Sequence, residues 1–301
     1  MPTIKLHSPA KLNLVLEITG RRPDGFHDLR TVFERISLGD TLTFRPLKQG
    51  IRITCDQRSV PRDGRNLAWR AARLLQEGAG VQKGVWIDIK KRIPVAAGLA
   101  GGSSNAATAL LGLNRLWGLR LSRRELIAYA RRLGSDVAFF LYDRSFALGT
   151  GRGDRIKPLG IQGKFWHVLI TPKAPLLTKE VYGAYAAHFS RRRSPAGKGG
   201  DGRLTKGIDN DNVNGLQRSL KKSDIVGAQR SLVNHLEGPI TRLRPELLRL
   251  KSRLEDLQPH GVCFSGSGPS IFALTRDRAE AETIAAHFRR TYKQVFVVTT
   301  D

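Results

Sequence analysis

PVAAGLAGGSSNA, Pro94 to Ala106, joins a run with strand periodicity to a run with helix periodicity through three glycines and two serines. Upstream, Val85, Ile87 and Ile89 alternate with Trp86, Asp88 and Lys90, the period-2 pattern of a half-buried strand ending before Pro94. Downstream, Ala106, Ala107, Ala109, Leu110, Leu113, Leu116 and Trp117 recur at helical spacing, and Ser103, Ser104 and Asn105 are the expected N-cap residues. The glycines therefore stand at a helix N-terminus. There the first-turn N–H groups lack intrahelical partners and the macrodipole is positive, so backbone alone can cradle a phosphate. Gly98, Gly101 and Gly102 carry no Cβ and let that backbone approach a ligand closely. No GK[ST] follows and the spacing does not fit GxGxxG, so neither a Walker A loop nor a dinucleotide fingerprint is present.

Outward from this loop the chain reads as α+β. Strand-like runs are expected at Ile4–Leu6, Leu12–Ile18, Thr31–Ile36, Thr41–Phe44 and Ile51–Thr54, and a helix over Asn66–Glu77. Another helix is expected from Ser122, with Glu125 completing a capping box, to Leu133. After a strand at Phe165–Ile170, helices are expected near Thr178–Ala187, Asp224–Leu236, Pro245–Leu257 and Ala279–Tyr292, with strands at Val262–Phe264, Ser270–Leu274 and Gln294–Thr299. A chain of 301 residues fits two domains better than one, and the Gly160–Lys164 stretch is the expected seam between 1–160 and 161–301.

Composition narrows the class. With 40% hydrophobic residues the chain is globular, and no apolar run reaches membrane-spanning length. The N-terminus MPTIKLHSPAK lacks a signal-peptide core, so a cytoplasmic protein without membrane partner is expected. Cys55 and Cys263 form no CxxC pair and the seven histidines have no ligand spacing, so neither disulfides nor a metal cluster is expected. Lys and Arg outnumber Asp and Glu by 51 to 26, a net charge of +25. That balance suits nucleic acid or small polyanions such as nucleotides. The basic residues are spread along the chain, and only Ser190–Arg203 is dense, within a Gly-rich tract expected to be a mobile surface loop. No homeodomain, zinc-finger or RNP pattern occurs, so no nucleic-acid partner is expected.

The Pro94–Ser104 loop resembles the second motif of the GHMP kinases, small-molecule kinases in which a PxxxGLxGSS-type loop wraps the ATP phosphates. SPAKLNLVLEITGRRPDGFHDLRTVF, Ser8 to Phe33, and CFSGSGPSIFAL, Cys263 to Leu274, resemble the first and third motifs, in family order. PAKLNL followed by TGRRPDGFHDL is most similar to the branch acting on 4-diphosphocytidyl-2-C-methyl-D-erythritol in the non-mevalonate isoprenoid pathway. LGSDVAFFL (Leu133–Leu141) and TKEVY (Thr178–Tyr182) agree with it. The homoserine, mevalonate and sugar kinases of the superfamily are alternatives, as is a basic nucleic-acid-binding protein on the same fold.

The resemblance implies a ribosomal-S5-like N-terminal domain, a ferredoxin-like C-terminal domain, and phosphorylation of the substrate's 2-hydroxyl by ATP. Asp136 would accept or orient the hydroxyl proton, and Lys11 would stabilise charge on the attacking oxygen. The implied ATP-binding residues are Pro94, Val95, Ala96, Ala97, Gly98, Leu99, Ala100, Gly101, Gly102, Ser103 and Ser104, with Gly266 and Gly268 as a supporting loop. Phe26 and Tyr182 would stack on the cytosine of a cytidine diphosphate substrate, His27 would bond its edge, and Asn13 and Thr178 would meet the methylerythritol end. Phe26 stands where many relatives have Tyr, and Ala138 where many have Pro; neither change removes a group the chemistry needs. Mg²⁺ is expected as the ATP complex, with Ser104, or only phosphate and water oxygens, as its ligands.

Overall fold

The computed structural model describes residues 3–192 and 211–301; most of the basic tract from Arg191 to Gly207 lies outside the described residues. Two compact units share the chain. One comprises Met1–Lys11, Arg35–Val95 and Ala100–Arg144, the other Leu12–Glu34, Ala96–Leu99 and Ser145–Asp301. Both are discontinuous, since two long strands and the glycine-rich stretch each contribute residues to both units. The expected pairs of short strands are single elements: β1 spans Ile4–Arg21 and β2 spans His27–Leu47. Polar residues between the apolar runs, such as Asp40, are buried by tertiary partners, so the pattern breaks where the strand does not.

In the first unit, the latter part of β2 pairs antiparallel with β4 (Gly84–Lys90), Phe44 opposite Ile87. β4 in turn pairs in parallel with β3 (Ile51–Cys55). The apolar members of these strands, Leu42, Phe44, Ile53, Ile87 and Ile89, are buried, and their alternates are not. Three helices, α1 (Leu67–Ala79), α2 (Gly101–Leu116) and α3 (Arg123–Leu133), pack together in this unit. Gly112 permits this packing: a Cβ there would stand 2.5 Å from the Phe44 ring.

Helix ends follow their cap chemistry. Asn66 caps α1, its side chain accepting from Ala68 N–H at 2.9 Å. At α3 the expected capping box is present, with Glu125 N–H on Ser122 Oγ at 3.3 Å and Ser122 N–H on Glu125 Oε2 at 2.8 Å. Ser122→Ala is expected to cost about 1 kcal/mol in chemical denaturation, since the Glu125 N–H loses its acceptor and the Glu125 carboxylate loses the hydroxyl that donates to it. A midpoint equal to wild type would show that solvent satisfies them equally well. For α2 the expectation is corrected. The helix begins at Gly101 with Ala100 as N-cap, and Ser103, Ser104 and Asn105 lie within it.

In the second unit, β5 (Phe146–Gly151) pairs with the first part of β2 and with β6 (Arg155–Pro158). A four-stranded antiparallel sheet has the order β11-β7-β10-β9, from β7 (Trp166–Ile170), β9 (Val262–Phe264), β10 (Ile271–Thr275) and β11 (Val295–Thr299). Numbered by these four strands alone, the order is 4-1-3-2. Helices α4 (Thr178–Arg192), α5 (Asn212–Lys221), α6 (Ile225–Gln229), α7 (Glu237–Leu243) and α8 (Pro245–Glu255) lie between the first strand and the second, and α9 (Arg278–Arg289) between the third and the fourth. This is the split βαβ arrangement of a ferredoxin-like fold. Val168, Ile170, Ala273, Leu247, Leu250, Ile284 and Phe288 belong to its buried core.

The helix expected over Asp224–Leu236 is corrected. Only α6 forms, and the chain then enters the short strand β8 (Val233–Asn234), parallel to β1 with Val15 opposite Val233. Asn234 decides this. Its Nδ2 donates to the carbonyls of Phe264 and Gly266 at 3.0 and 2.8 Å, and its Oδ1 accepts from Leu236 N–H at 2.9 Å. A buried amide with three partners outweighs helical periodicity.

Candidate functional site

In the first unit, Lys11 on β1 and Asp136 in the turn after α3 form an ion pair, Nζ to Oδ2 at 3.8 Å. Lys11 is 4% exposed and Asp136 33%. Burial pushes the Lys11 ammonium below its ordinary pKa, and the Asp136 carboxylate offsets part of that fall. A short 3-10 turn, Ala138–Leu141, follows Asp136 with all four side chains buried, so the carboxylate stands on a fixed support.

The glycine-rich stretch begins as a chain of left-handed residues. Ala96, Gly98 and Ala100 have φ of 54°, 79° and 55°. Two alanines in this region store strain of the kind found where backbone is shaped for a ligand. Pro94, Ala97 and Leu99 turn inward and are buried, whereas Val95 and Ala96 are exposed. No side-chain cap hydrogen bond closes the start of α2, a 16-residue helix, and first-turn N–H groups left this way can accept an anion. The Ser104 hydroxyl is engaged inside the protein. It is fully buried, with Oγ 2.8 Å from Ser8 Oγ.

In the second unit the other glycine motif packs on this turn. A Cβ on Gly268 would lie 2.2 Å from Ala97 C and Gly98 N, and one on Gly98 would lie 2.1 Å from Ser265 O. Ser265, which the sequence reading passes over, donates from Oγ to Gly98 O at 3.1 Å and accepts the Asn13 N–H at 3.4 Å. Asn13 is buried, with Nδ2 donating to Thr31 Oγ1 at 2.7 Å; Thr31 Oγ1 donates onward to Val15 O at 2.6 Å. Thr178 begins α4, and its Oγ1 lies 2.9 Å from Ser267 Oγ. Gly266 has φ 60° and its carbonyl is held by Asn234.

The expected aromatic residues divide. Phe26 is 55% exposed, the second most exposed large apolar side chain described, with the Arg152 guanidinium 5.2 Å from its ring centroid. Such a face is costly to leave in water and suits a planar ligand. Tyr182 instead packs partly against the core, 5.5 Å from the His27 ring. His27 also meets Tyr185 edge-on at 5.7 Å. Burial, helped by the charge of Arg21, lowers the His27 pKa, so a neutral ring with one donor and one acceptor prevails at neutral pH. Arg152 and Tyr185 carry no signal in the sequence that separates them from solvated surface and core. Among the described residues no group of three or more His, Cys, Asp or Glu side chains could hold a metal ion, and no helix is long and apolar enough to cross a membrane.

Residues 66–144 match the model of the GHMP kinases N terminal domain, and residues 216–294 that of the GHMP kinases C terminal domain. The chain is 38% identical over 292 residues to the 4-diphosphocytidyl-2-C-methyl-D-erythritol kinase of Bacillus pumilus, covering 97% of this chain and 94% of that protein. It is 36% identical to the Bacillus subtilis protein of the same name, with the same coverage. A crystal structure of 4-(cytidine 5'-diphospho)-2C-methyl-D-erythritol kinase superposes with a TM-score of 0.79 at 35% identity, covering 98% of each chain. A homoserine kinase from Cytophaga hutchinsonii shares the fold at TM-score 0.73 and 21% identity, covering 100% of this chain and 95% of its own.

Proposed function

The chain belongs to the GHMP kinase family, and on that premise we propose that it transfers the γ-phosphoryl group of ATP to the 2-hydroxyl of 4-diphosphocytidyl-2-C-methyl-D-erythritol. The observation that carries the reading is the Lys11–Asp136 pair in a unit that also holds the uncapped N-terminus of α2. Relatives that bear this activity in their names are 36% and 38% identical to this chain, whereas the homoserine kinase is 21% and a mevalonate kinase 15% identical, which favours this activity over those branches.

Phosphoryl transfer asks for positioning, charge neutralisation and an oriented nucleophile. The N–H groups that open α2 hold phosphate oxygens, with Val95 to Gly102 shaping the turn, Gly268 packed on Ala97 and Gly98, and Gly266 belonging to the same supporting loop. Asp136 accepts the hydroxyl proton as the new O–P bond forms and ADP leaves, while Lys11 offsets the negative charge on the attacking oxygen. Phe26, Tyr182 and His27 take the cytosine, and Asn13 and Thr178 the methylerythritol end. Magnesium, bound as the ATP complex, would supply charge neutralisation on the phosphate oxygens. Ser104 does not fit as its ligand, since the hydroxyl is buried on Ser8, which would leave phosphate and water oxygens to hold it. The enzyme works in the cytoplasm, with domains 1–160 and 161–301, each containing one of the two family matches.

ADP release measured with the cytidine diphosphate alcohol, homoserine, mevalonate and a hexose in turn tests this. Turnover is expected with the first alone. Release with another acceptor but not with it would reassign the enzyme within the family, and no release with any would remove the kinase reading.

A further inference from the structure

Asp40 on β2 is fully buried, and four donors converge on its carboxylate. Oδ2 accepts from Lys91 Nζ at 2.5 Å and from Asn105 Nδ2 at 2.9 Å. Oδ1 accepts from the N–H groups of Arg92 and Ile93 at 2.8 and 2.9 Å. Asn105 Nδ2 also donates to Ser8 Oγ at 2.9 Å, and Ser8 reaches Ser104. Every partner belongs to the first unit. They come from the two flanks of one stretch: residues 91–93 lead into the glycine-rich turn, and residues 104–105 leave it through the first turn of α2. A Cβ on Gly101 would stand 3.1 Å from Lys91 Nζ, so the ammonium lies against the residue that opens the helix.

We propose that Asp40 is a positioning residue for the nucleotide: it ties the entry and the exit of the phosphate loop to one carboxylate, so the N–H groups that open α2 are aimed before ATP arrives. The inference rests on the reading of that loop as the ATP phosphate site. A flexible glycine-rich turn would otherwise lose conformational freedom on binding and give up affinity for it. The Lys91 side chain is 5% exposed, so it is held by Asp40 and is not offered to the ligand. Two buried charges with this many hydrogen bonds define a single arrangement, because any other leaves one of them unpaired.

The test is the split between the two Michaelis constants. Asp40→Asn keeps the shape and one carbonyl oxygen, but turns an NH₂ toward Lys91 and Asn105. It is expected to raise the KM for ATP about tenfold, with the KM for the cytidine diphosphate alcohol within about twofold of wild type. Lys91→Met keeps the stem and the two backbone anchors and is expected to raise the KM for ATP about threefold. Circular dichroism melts establish that each variant is folded. An unchanged KM for ATP, or equal rises in both constants, in a folded Asp40→Asn overturns the proposal. If that variant does not fold, Lys91→Met decides by the same criterion. Failure of the kinase reading looks different, since wild type itself would then release no ADP with any acceptor.

Discussion

Asp136→Asn is expected to reduce turnover by about 10²- to 10⁴-fold, the span that a positioned proton acceptor supplies. It is also expected to lower the melting temperature. The amide is neutral, and the Lys11 ammonium, 4% exposed, would lose the carboxylate 3.8 Å away. Lys11→Met should show the opposite pairing of effects, with turnover lost to a similar degree but stability kept or raised. Asp136 is a third exposed and can be solvated without its partner, whereas the lysine bears the burial penalty. The pH dependence has a definite sign. The folded pKa of Lys11 lies below 10.5, so the unfolded chain binds that proton more tightly than the folded one. The penalty is full below the depressed folded pKa and fades as pH rises through it toward 10.5. Lys11→Met should therefore gain most on wild type at neutral pH and least near pH 10.5. Near-normal turnover in either variant removes the proposed role of that residue. A lower melting temperature in Lys11→Met would show that the pair stabilises the fold and is not held there at a cost.

Replacing either glycine where the two loops meet should have the other large effect. Gly98 has φ 79°, and its Cβ would fall 2.1 Å from Ser265 O; the Cβ of Gly268 would fall 2.2 Å from Ala97 C and Gly98 N. The obstructing atoms are backbone, so no rotamer change relieves the clash and the loops must separate. Gly98→Ala and Gly268→Ala are each expected to cost about 1–3 kcal/mol in denaturant melts. A displacement of about 1 Å at the phosphate turn is also expected to lower turnover about 10²-fold. Gly98→Ala should be the worse of the two, because it adds a left-handed φ to the clash. A variant that melts with wild type and keeps its turnover would show that the two loops are free to part.

Some of this was legible one residue at a time. The Asn66 cap, the Ser122–Glu125 box and the strand at Val262–Phe264 follow from local chemistry, which acts between neighbours in the chain. The family motifs contain Lys11 and Asp136, although 124 residues lie between them. No local rule reveals that they meet. Asn234, Arg152 and Tyr185 carry no local signal for the same reason, and Ser265 does not stand out within its motif. Each is unremarkable among its neighbours in sequence and gains its role from partners far along the chain, as Asn234 does from Phe264 and Gly266.

By itself, then, the sequence around Pro94–Ala106 determined that a strand gives way to a helix through a glycine-rich turn, because periodicity and glycine content are properties of consecutive residues. It placed the helix start at the serines, where a side chain could cap it. Only the tertiary structure moved that start to Gly101 and left the N-terminus uncapped. Ser104 and Asn105 are drawn inward to Ser8 and Asp40, and hydrogen bonds that satisfy buried polar groups outweigh a cap that solvent or a ligand can replace.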